Sequence, residues 1–328
     1  MKEQNVNMEV LKGLDKSNFI THALDLMRRQ AALNKVYAEW LDLMKVDLGK
    51  VERLDQIPFL PIHFFKTHSI FTGAICPDFY FQSSGTTEDT LSKHYVADLS
   101  VYEQSFTTCF NQFYGSPKDY CILGLLPNYL ERQNSSLVYM THHLIEASQN
   151  PLSGFYLYDF EKLNKTLEVV EKKQQKTLLI GVSFALMDFV DEFPQKLSHT
   201  IVMETGGMKG RKAELTKPAL HAYLSKGFGV KSIHSEYGMT ELLSQAYSIG
   251  AGKYKCPPWM RVLVANESDP SEITETGRGV LHIIDLANLH SCAFIATEDV
   301  GTVYPDGSFE IIGRLDNSAR RGCSLLVI

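Results

Sequence analysis

The sequence predicts an α/β fold, with mixed and parallel sheets flanked by helices and a β-rich C-terminal portion. Three observations predict it. Strand-like and helix-like runs alternate between residues 120 and 234, the mark of β-α-β units. Beyond about residue 256 the pattern changes to short strands separated by Gly, Pro and Asp turns. A chain of 328 residues that is 44% hydrophobic and 21% charged has enough apolar material for one large core or two.

The elements follow in order. A helix starts near Ser17, with Ile20, Leu24, Met27 and Ala31 on one stripe and Trp40, Leu41 and Met44 further on. Pro58 and Pro61 punctuate the aromatic stretch 59–65, which predicts an extended path or short turn rather than a helix. Ser100-x-x-Glu103 reads as a capping box opening a helix that carries Val101, Phe106, Phe110 and Phe113 and closes at Gly115. Strands are then expected at 120–126, 155–158, 177–182, 200–204 and 230–234. Helices fall between them at 136–148, 161–173 and 211–224, the last interrupted at Pro218. The C-terminal strands are 260–264, 279–285, 293–296 and 309–312, with Asp306-Gly307 making a hairpin turn.

Composition excludes several classes. A formal net charge of −6, with no Lys/Arg run interleaved with aromatics, argues against nucleic acid as a partner. Apolar runs such as 121–126 and 177–184 fall far short of the roughly 18 residues a membrane span needs, and 1–10 has no signal-peptide core. A cytoplasmic protein with no integral membrane segment is expected. The 6 cysteines, at 76, 109, 121, 256, 292 and 323, form no Cys-x-x-Cys pair, so structural zinc is not expected and reduced thiols are.

Chemistry-bearing residues gather in four segments. Ser83-Ser84-Gly85-Thr86-Thr87 is a hydroxyl cluster around a glycine, either an ordinary polar turn or a cradle for phosphate oxygens. It is not a Walker loop, since no Gly-Lys-Ser/Thr follows. Thr205-Gly206-Gly207-Met208 follows an expected strand, at the carboxyl edge where open α/β sheets bind ligands, and reads as a plain turn or as a site for a base or ribose. Ser235-Glu236-Tyr237-Gly238-Met239-Thr240-Glu241 comes after another. Tyr237 offers a ring for stacking on a purine, Thr240 a hydroxyl for phosphate and Glu241 a hard oxygen for Mg²⁺. Glu241 equally reads as a solvated charge in the first turn of an exposed helix. Lastly, Asp299 and Arg314 carry groups suited to ribose hydroxyls and phosphate, or sit in hairpin turns.

Taken in this order, the segments resemble the adenylate-forming superfamily, which includes acyl-CoA synthetases, peptide-synthetase adenylation domains and firefly luciferase. Tyr-Gly-Met-Thr-Glu and the succession from Asp299 to Gly-Arg-x-Asp are the specific parts, and the resemblance spans about residues 81–322. It implies ATP and Mg²⁺, with Ser83, Ser84, Gly85, Thr86 and Thr87 around the phosphates. Gly206, Gly207, Met208, Tyr237, Gly238 and Met239 then line the adenosine, Thr240 and Glu241 serve phosphate and metal, Asp299 holds ribose, and Arg314 meets ribose or phosphate.

Ser92-Lys93-His94 after the loop, and the close at Arg320-Arg321-Gly322-Cys323, are similar to acyl-protein synthetase of the bacterial bioluminescence fatty-acid reductase system. That resemblance implies activation of a carboxylic, in particular fatty, acid as acyl-AMP and carriage of the acyl group on Cys323. Arg320 and Arg321 would favour the Cys323 thiolate; a buried inert thiol is the alternative. It also implies a chain that ends near the hinge, without a separate lysine-bearing domain, and an acceptor protein or reductase subunit as partner. Residues 1–255 are expected to form the nucleotide- and acyl-binding region and 256–328 a β-rich subdomain packed on it as one unit.

One departure stands out. Glu88-Asp89 occupies the place where the broader family has Gly and then Lys, so Lys93 is the remaining candidate for the loop's cation. His234 and His94 are candidates for orienting the carboxylate or moving a proton, and each also reads as a packing histidine. A CoA ligase and a catalytically silent nucleotide-binding scaffold are the alternative functions.

Overall fold

The computed structural model describes residues 11–315 apart from 12, 16, 84–90, 127–133 and 207–214. Helix α1 (Phe19–Leu33) buries Phe19, Ala23, Leu24, Leu26, Met27 and Gln30. The expected stripe is displaced at its start, because Ile20 is 40% exposed and Phe19 takes its place in the core. Asn34 accepts a hydrogen bond from the Tyr37 backbone N–H and so opens α2 (Lys35–Leu43). The aromatic stretch is extended at β1 (Leu60–Pro61) and closes in a four-residue helix, α3 (Phe64–Thr67).

Strands β2 (Tyr80–Gln82) and β3 (Lys93–Tyr95) pair antiparallel. Helix α4 (Leu99–Tyr114) is capped by Asp98, which accepts from the Ser100 N–H, rather than by a box at Ser100. Glu103 is turned away from that end and accepts from the Tyr139 hydroxyl at 2.5 Å. Gly115, at φ 83°, ends the helix as expected.

The alternation that follows is β4 (Cys121–Leu125), α5 (Ser136–Ser148), β5 (Gly154–Phe155), α6 (Phe160–Lys172), β6 (Thr177–Val182), α7 (Ser183–Glu192), β7 (Thr200–Thr205), α8 (Lys217–Phe228) and β8 (His234–Tyr237). Helix α7 follows β6 directly and was not foreseen, because residues 177–184 read as one apolar run. Pro218 begins α8 instead of interrupting it, since a first-turn N–H has no helical partner to lose. The strand expected at 230–234 starts only at His234. Gly229 is left-handed at φ 61°, and the Val230 N–H returns to the Ser225 carbonyl, so 229–230 belong to the end of α8.

The remaining strands are β9 (Ala246–Ser248), β10 (Met260–Ala265), β11 (Ile273–Thr274), β12 (Gly277–Asp285), β13 (Phe294–Val303) and β14 (Phe309–Arg314). The central sheet has the order β5-β4-β6-β7-β8-β9, parallel up to β8 and antiparallel at β9. The second sheet runs β1-β13-β12-β10-β11 with β14 on β13. Within it β1 lies parallel to β13, pairing Leu60 with Ile295, and its other pairings are antiparallel.

One core cluster joins α1, α2 and α4 to the second sheet and reaches Met203 and Tyr237. Another fills the opposite side of the central sheet, where Leu163, Leu167, Phe189 and Leu224 pack against Leu179 and Val202. Each such side chain contributes about 2 kcal/mol by leaving water. The carboxyl ends of β7 and β8 are thereby held at one rim. Among the described residues, no helix is long and apolar enough to cross a membrane.

Candidate active site

The hydroxyl loop is pinned at its base. Ser83 donates its N–H to the Ser92 carbonyl at 3.0 Å, and the Ser92 N–H returns to Ser83 Oγ at 2.9 Å. Ser84, Gly85, Thr86 and Thr87, between those two residues, lie outside the described residues. Two positions past the pin, His94 Nδ1 lies 2.8 Å from the Thr240 carbonyl. A carbonyl only accepts, so Nδ1 carries the proton. Burial, opposed by this bond, lowers the His94 pKa to about 4, which leaves the ring neutral. His94 is therefore the tie that holds β3 and the flank of the loop against residue 240.

Tyr237 ends β8 with its hydroxyl donated to Asp299 Oδ2 at 2.7 Å. Arg314 Nε stands 3.7 Å from Asp299 Oδ1 and 3.7 Å from Glu298. Asp299 and Arg314 are cross-strand partners in the β13–β14 ladder, not turn residues. Burial raises the Asp299 pKa, against the Tyr237 hydrogen bond and Arg314, and it raises that of Tyr237 further. The Tyr237 ring is 8% exposed and packs edge-on to Tyr254 and Phe309. Gly238 follows because a Cβ there would come within 2.5 Å of Glu236 Oε1. Met239 packs against the core, with Sδ 3.8 Å from the Tyr237 hydroxyl.

Glu241 sits in a turn rather than at the start of an exposed helix, and only 6% of it reaches solvent. Asn288 Nδ2 donates to its carbonyl at 2.9 Å. Next to it, Asp285 accepts from the N–H groups of Leu243, Ser244 and Ala287 and from Ser244 Oγ. Asp285 and Asn288 thus set the path of 241–244. No local motif marks them, because their role appears only when β12 meets this turn.

Burial pushes the Glu241 pKa up, and a hydrogen bond from Ser92 with the fields of Arg314 and Lys66 offsets it only in part. An incompletely compensated buried carboxylate suits a cation. Among the described residues no group of three His, Cys, Asp or Glu could hold a metal. A Mg²⁺ at Glu241 would therefore take its other oxygens from nucleotide phosphates and water, the usual habit of that ion.

Gly206 has φ 68°, the left-handed region that favours glycine, and its carbonyl lies 2.9 Å from Ser183 Oγ. Gly207 and Met208 lie outside the described residues, as does Cys323. Lys93, on β3, rests with Nζ 4.8 Å from the ring centroid of Tyr80 on β2. His234 is not brought to this cluster. It opens β8, about 10 Å along the strand from Tyr237, with Nδ1 3.1 Å from the Tyr114 hydroxyl, and burial lowers its pKa. The sequence also gave no signal for Glu204, a buried carboxylate bound by Lys217 Nζ at 2.7 Å and adjoined by His221 Nε2 at 3.3 Å.

Among the described residues, Ser83, Ser92 and His94 thus meet 237–241, Asp299 and Arg314 on one rim of an α/β fold. A family model described as LuxE, acyl-protein synthetase, matches residues 12–328. The chain belongs to that family. It is 24% identical over 185 residues to a long-chain-fatty-acid–luciferin-component ligase of Aliivibrio fischeri, covering 51% of this chain and 49% of that one. The aligned segment thus spans about half the length of this curated relative. Among solved structures, ATP-bound MatB of Rhodopseudomonas palustris superposes with TM-score 0.52 at 16% identity, over 74% of this chain and 49% of its own. A luciferase-like enzyme of the mealworm Zophobas morio gives 0.52 at 15% identity over 75% and 60%. A long-chain-fatty-acid-CoA ligase of Archaeoglobus fulgidus gives 0.51 at 15% over 74% and 52%. These likenesses establish the α/β fold of adenylate-forming enzymes.

Proposed function

We propose that this chain activates a carboxylic acid, in particular a fatty acid, with ATP and passes the acyl group to a thiol. The observation that carries the reading is the set Tyr237–Asp299–Arg314, joined by a hydrogen bond and an ion pair, with the turn bearing Thr240 and Glu241 tied through His94 to β3, the strand that follows the hydroxyl run. Such a rim offers oxygens suited to ribose, a guanidinium and a buried carboxylate.

In this reading the substrate carboxylate attacks the α-phosphorus in line. The bond to pyrophosphate breaks and acyl-AMP remains. Asp299, held by Tyr237, receives the ribose hydroxyls, Arg314 balances phosphate charge, and the 83–87 hydroxyls align the phosphate chain. Lys93, 6 residues after Thr87 in the sequence, is the candidate cation for that loop. Glu241 would hold Mg²⁺, which supplies charge neutralisation on the phosphates when bound. Cys323 thiolate then attacks the acyl carbonyl and AMP departs, leaving a thioester for a partner protein. The residues proposed for this chemistry divide at about 256, with 1–255 as the nucleotide- and acyl-binding region and 256–328 packed on it. The pairing of Leu60 with Ile295 supports that packing.

The test is ATP–pyrophosphate exchange with short, long and aromatic carboxylic acids, followed by thioester labelling with and without CoA. Acid-dependent exchange with label on the protein is expected. ATP binding without exchange for any acid would favour a silent scaffold, and transfer to CoA alone a CoA ligase.

A further inference from the structure

Behind the glycine turn lies a buried ionic chain that the proposed reaction leaves without a task. Glu204, one residue before the end of β7, has a side chain 1% exposed. Its Oε2 lies 3.2 Å from Ser183 Oγ, which is also 2.9 Å from the Gly206 carbonyl. Its Oε1 accepts from Lys217 Nζ at 2.7 Å, and the same ammonium donates to the Tyr254 hydroxyl at 2.6 Å. The Tyr254 ring stands 5.9 Å from that of Tyr237. Its backbone bonds in both directions with Phe309 of β14, the strand that ends in Arg314.

We infer that Glu204 and Lys217 are a positioning pair that fixes the glycine turn at 206 relative to Tyr237, Asp299 and Arg314, so that the adenosine end of ATP meets a preformed site. This rests on the reading of the rim as an ATP site. Two arguments support it. A buried ion pair rarely stabilises a fold more than apolar side chains of the same volume would, and in some proteins its role is instead to specify one arrangement of the elements it joins. And a carboxylate directly behind a turn proposed to receive an anionic nucleotide opposes that nucleotide unless it is neutralised. Burial raises the Glu204 pKa, but His221 and Lys217 outweigh it and hold the group near 2, so it is ionised and depends on them. The Lys217 pKa is displaced upward by the same contact, in spite of burial.

The test measures ATP affinity by calorimetry and the KM values for ATP and acid in exchange. Lys217→Met is expected to weaken ATP binding about tenfold, the scale of one buried charged hydrogen bond, with the KM for acid within about twofold. Lys217→Arg is expected to restore most of the loss, and Glu204→Gln combined with Lys217→Met to bind ATP better than Lys217→Met alone; a merely structural role would move the KM for acid together with that for ATP. Tyr254→Phe keeps the ion pair and the ring contact with Tyr237, removes the hydrogen bond from Lys217 that joins them and should cost about threefold in ATP affinity; it decides the matter if Lys217→Met does not fold. Wild-type protein that binds ATP alongside Lys217→Met and Tyr254→Phe variants that bind it equally well, or that lose ATP and acid alike, overturns the pair's role alone. Wild-type protein that binds no ATP overturns the site itself.

Discussion

The Tyr237 hydroxyl and the Asp299 carboxylate, 62 residues apart in the chain, meet at 2.7 Å at the rim where β8 and β13 come together. The bond leaves Asp299 Oδ1 toward Arg314 and orients the carboxylate. Tyr237→Phe should therefore raise the KM for ATP about fivefold while leaving the acid dependence of exchange unchanged. Asp299→Asn should lose more, because it also removes the acceptor for ribose. Exchange kinetics with ATP varied at saturating acid give both values.

Glu241 is a buried carboxylate whose burial Ser92, Arg314 and Lys66 offset only in part. Glu241→Gln keeps the shape and removes the charge. Exchange should fall on the order of a hundredfold or more, the usual loss when a charge-stabilising group is deleted. Wild-type rates in the variant at saturating Mg²⁺ would remove Glu241 from the metal role.

Cys323 is proposed for the second half-reaction only. Cys323→Ser should abolish the thioester label and leave pyrophosphate exchange within about twofold, since no step before acyl transfer uses the thiol. Loss of both activities together would mean that the thiol acts earlier or that another residue carries the acyl group.

Glu236 lies on the other face of β8, accepting from the Thr205 hydroxyl, and burial with the nearby Glu204 charge raises its pKa to about 7. A carboxyl whose folded pKa is raised binds its proton more tightly in the folded state than in the unfolded one. Its contribution to stability is full below the unfolded value of 4.5 and is lost as pH rises through about 7. The wild-type Tm should fall across that window. Glu236→Gln should flatten the fall, as thermal melts at stepped pH would record.

Asp285 accepts four hydrogen bonds, three of them from Leu243 and Ser244 in the segment after Glu241. Asp285→Ala strands those donors in the interior and should cost about 3 kcal/mol or more, read from denaturant titration. Activity per folded molecule should drop too, because the path of Glu241 follows from the same bonds.

Much of the site was legible because backbone chemistry is local. The hydroxyl run at 83–87, the Gly206 turn and the 235–241 heptapeptide each carry residue types that suit phosphate, base or metal wherever they are placed. What misled was local context. Glu241 looked like a helix-start charge because a Thr-Glu pair favours such ends, yet Asn288 and Asp285 hold it in a buried turn. Residues 230–233 look like strand, yet the Gly229 cap keeps Val230 on the preceding helix.

The sequence by itself determined the alternating fold class, the segments that carry chemistry and the family they resemble, because helical and strand periodicity and short motifs are written in neighbouring residues. Only the tertiary structure decided that Asp299 and Arg314 are cross-strand partners, that His94 ties its strand to Thr240, and that Glu204 is ionised against Lys217. Those facts depend on pairings between residues tens to hundreds of positions apart and on the removal of water from charged groups. Neither leaves a trace in a window of ten residues.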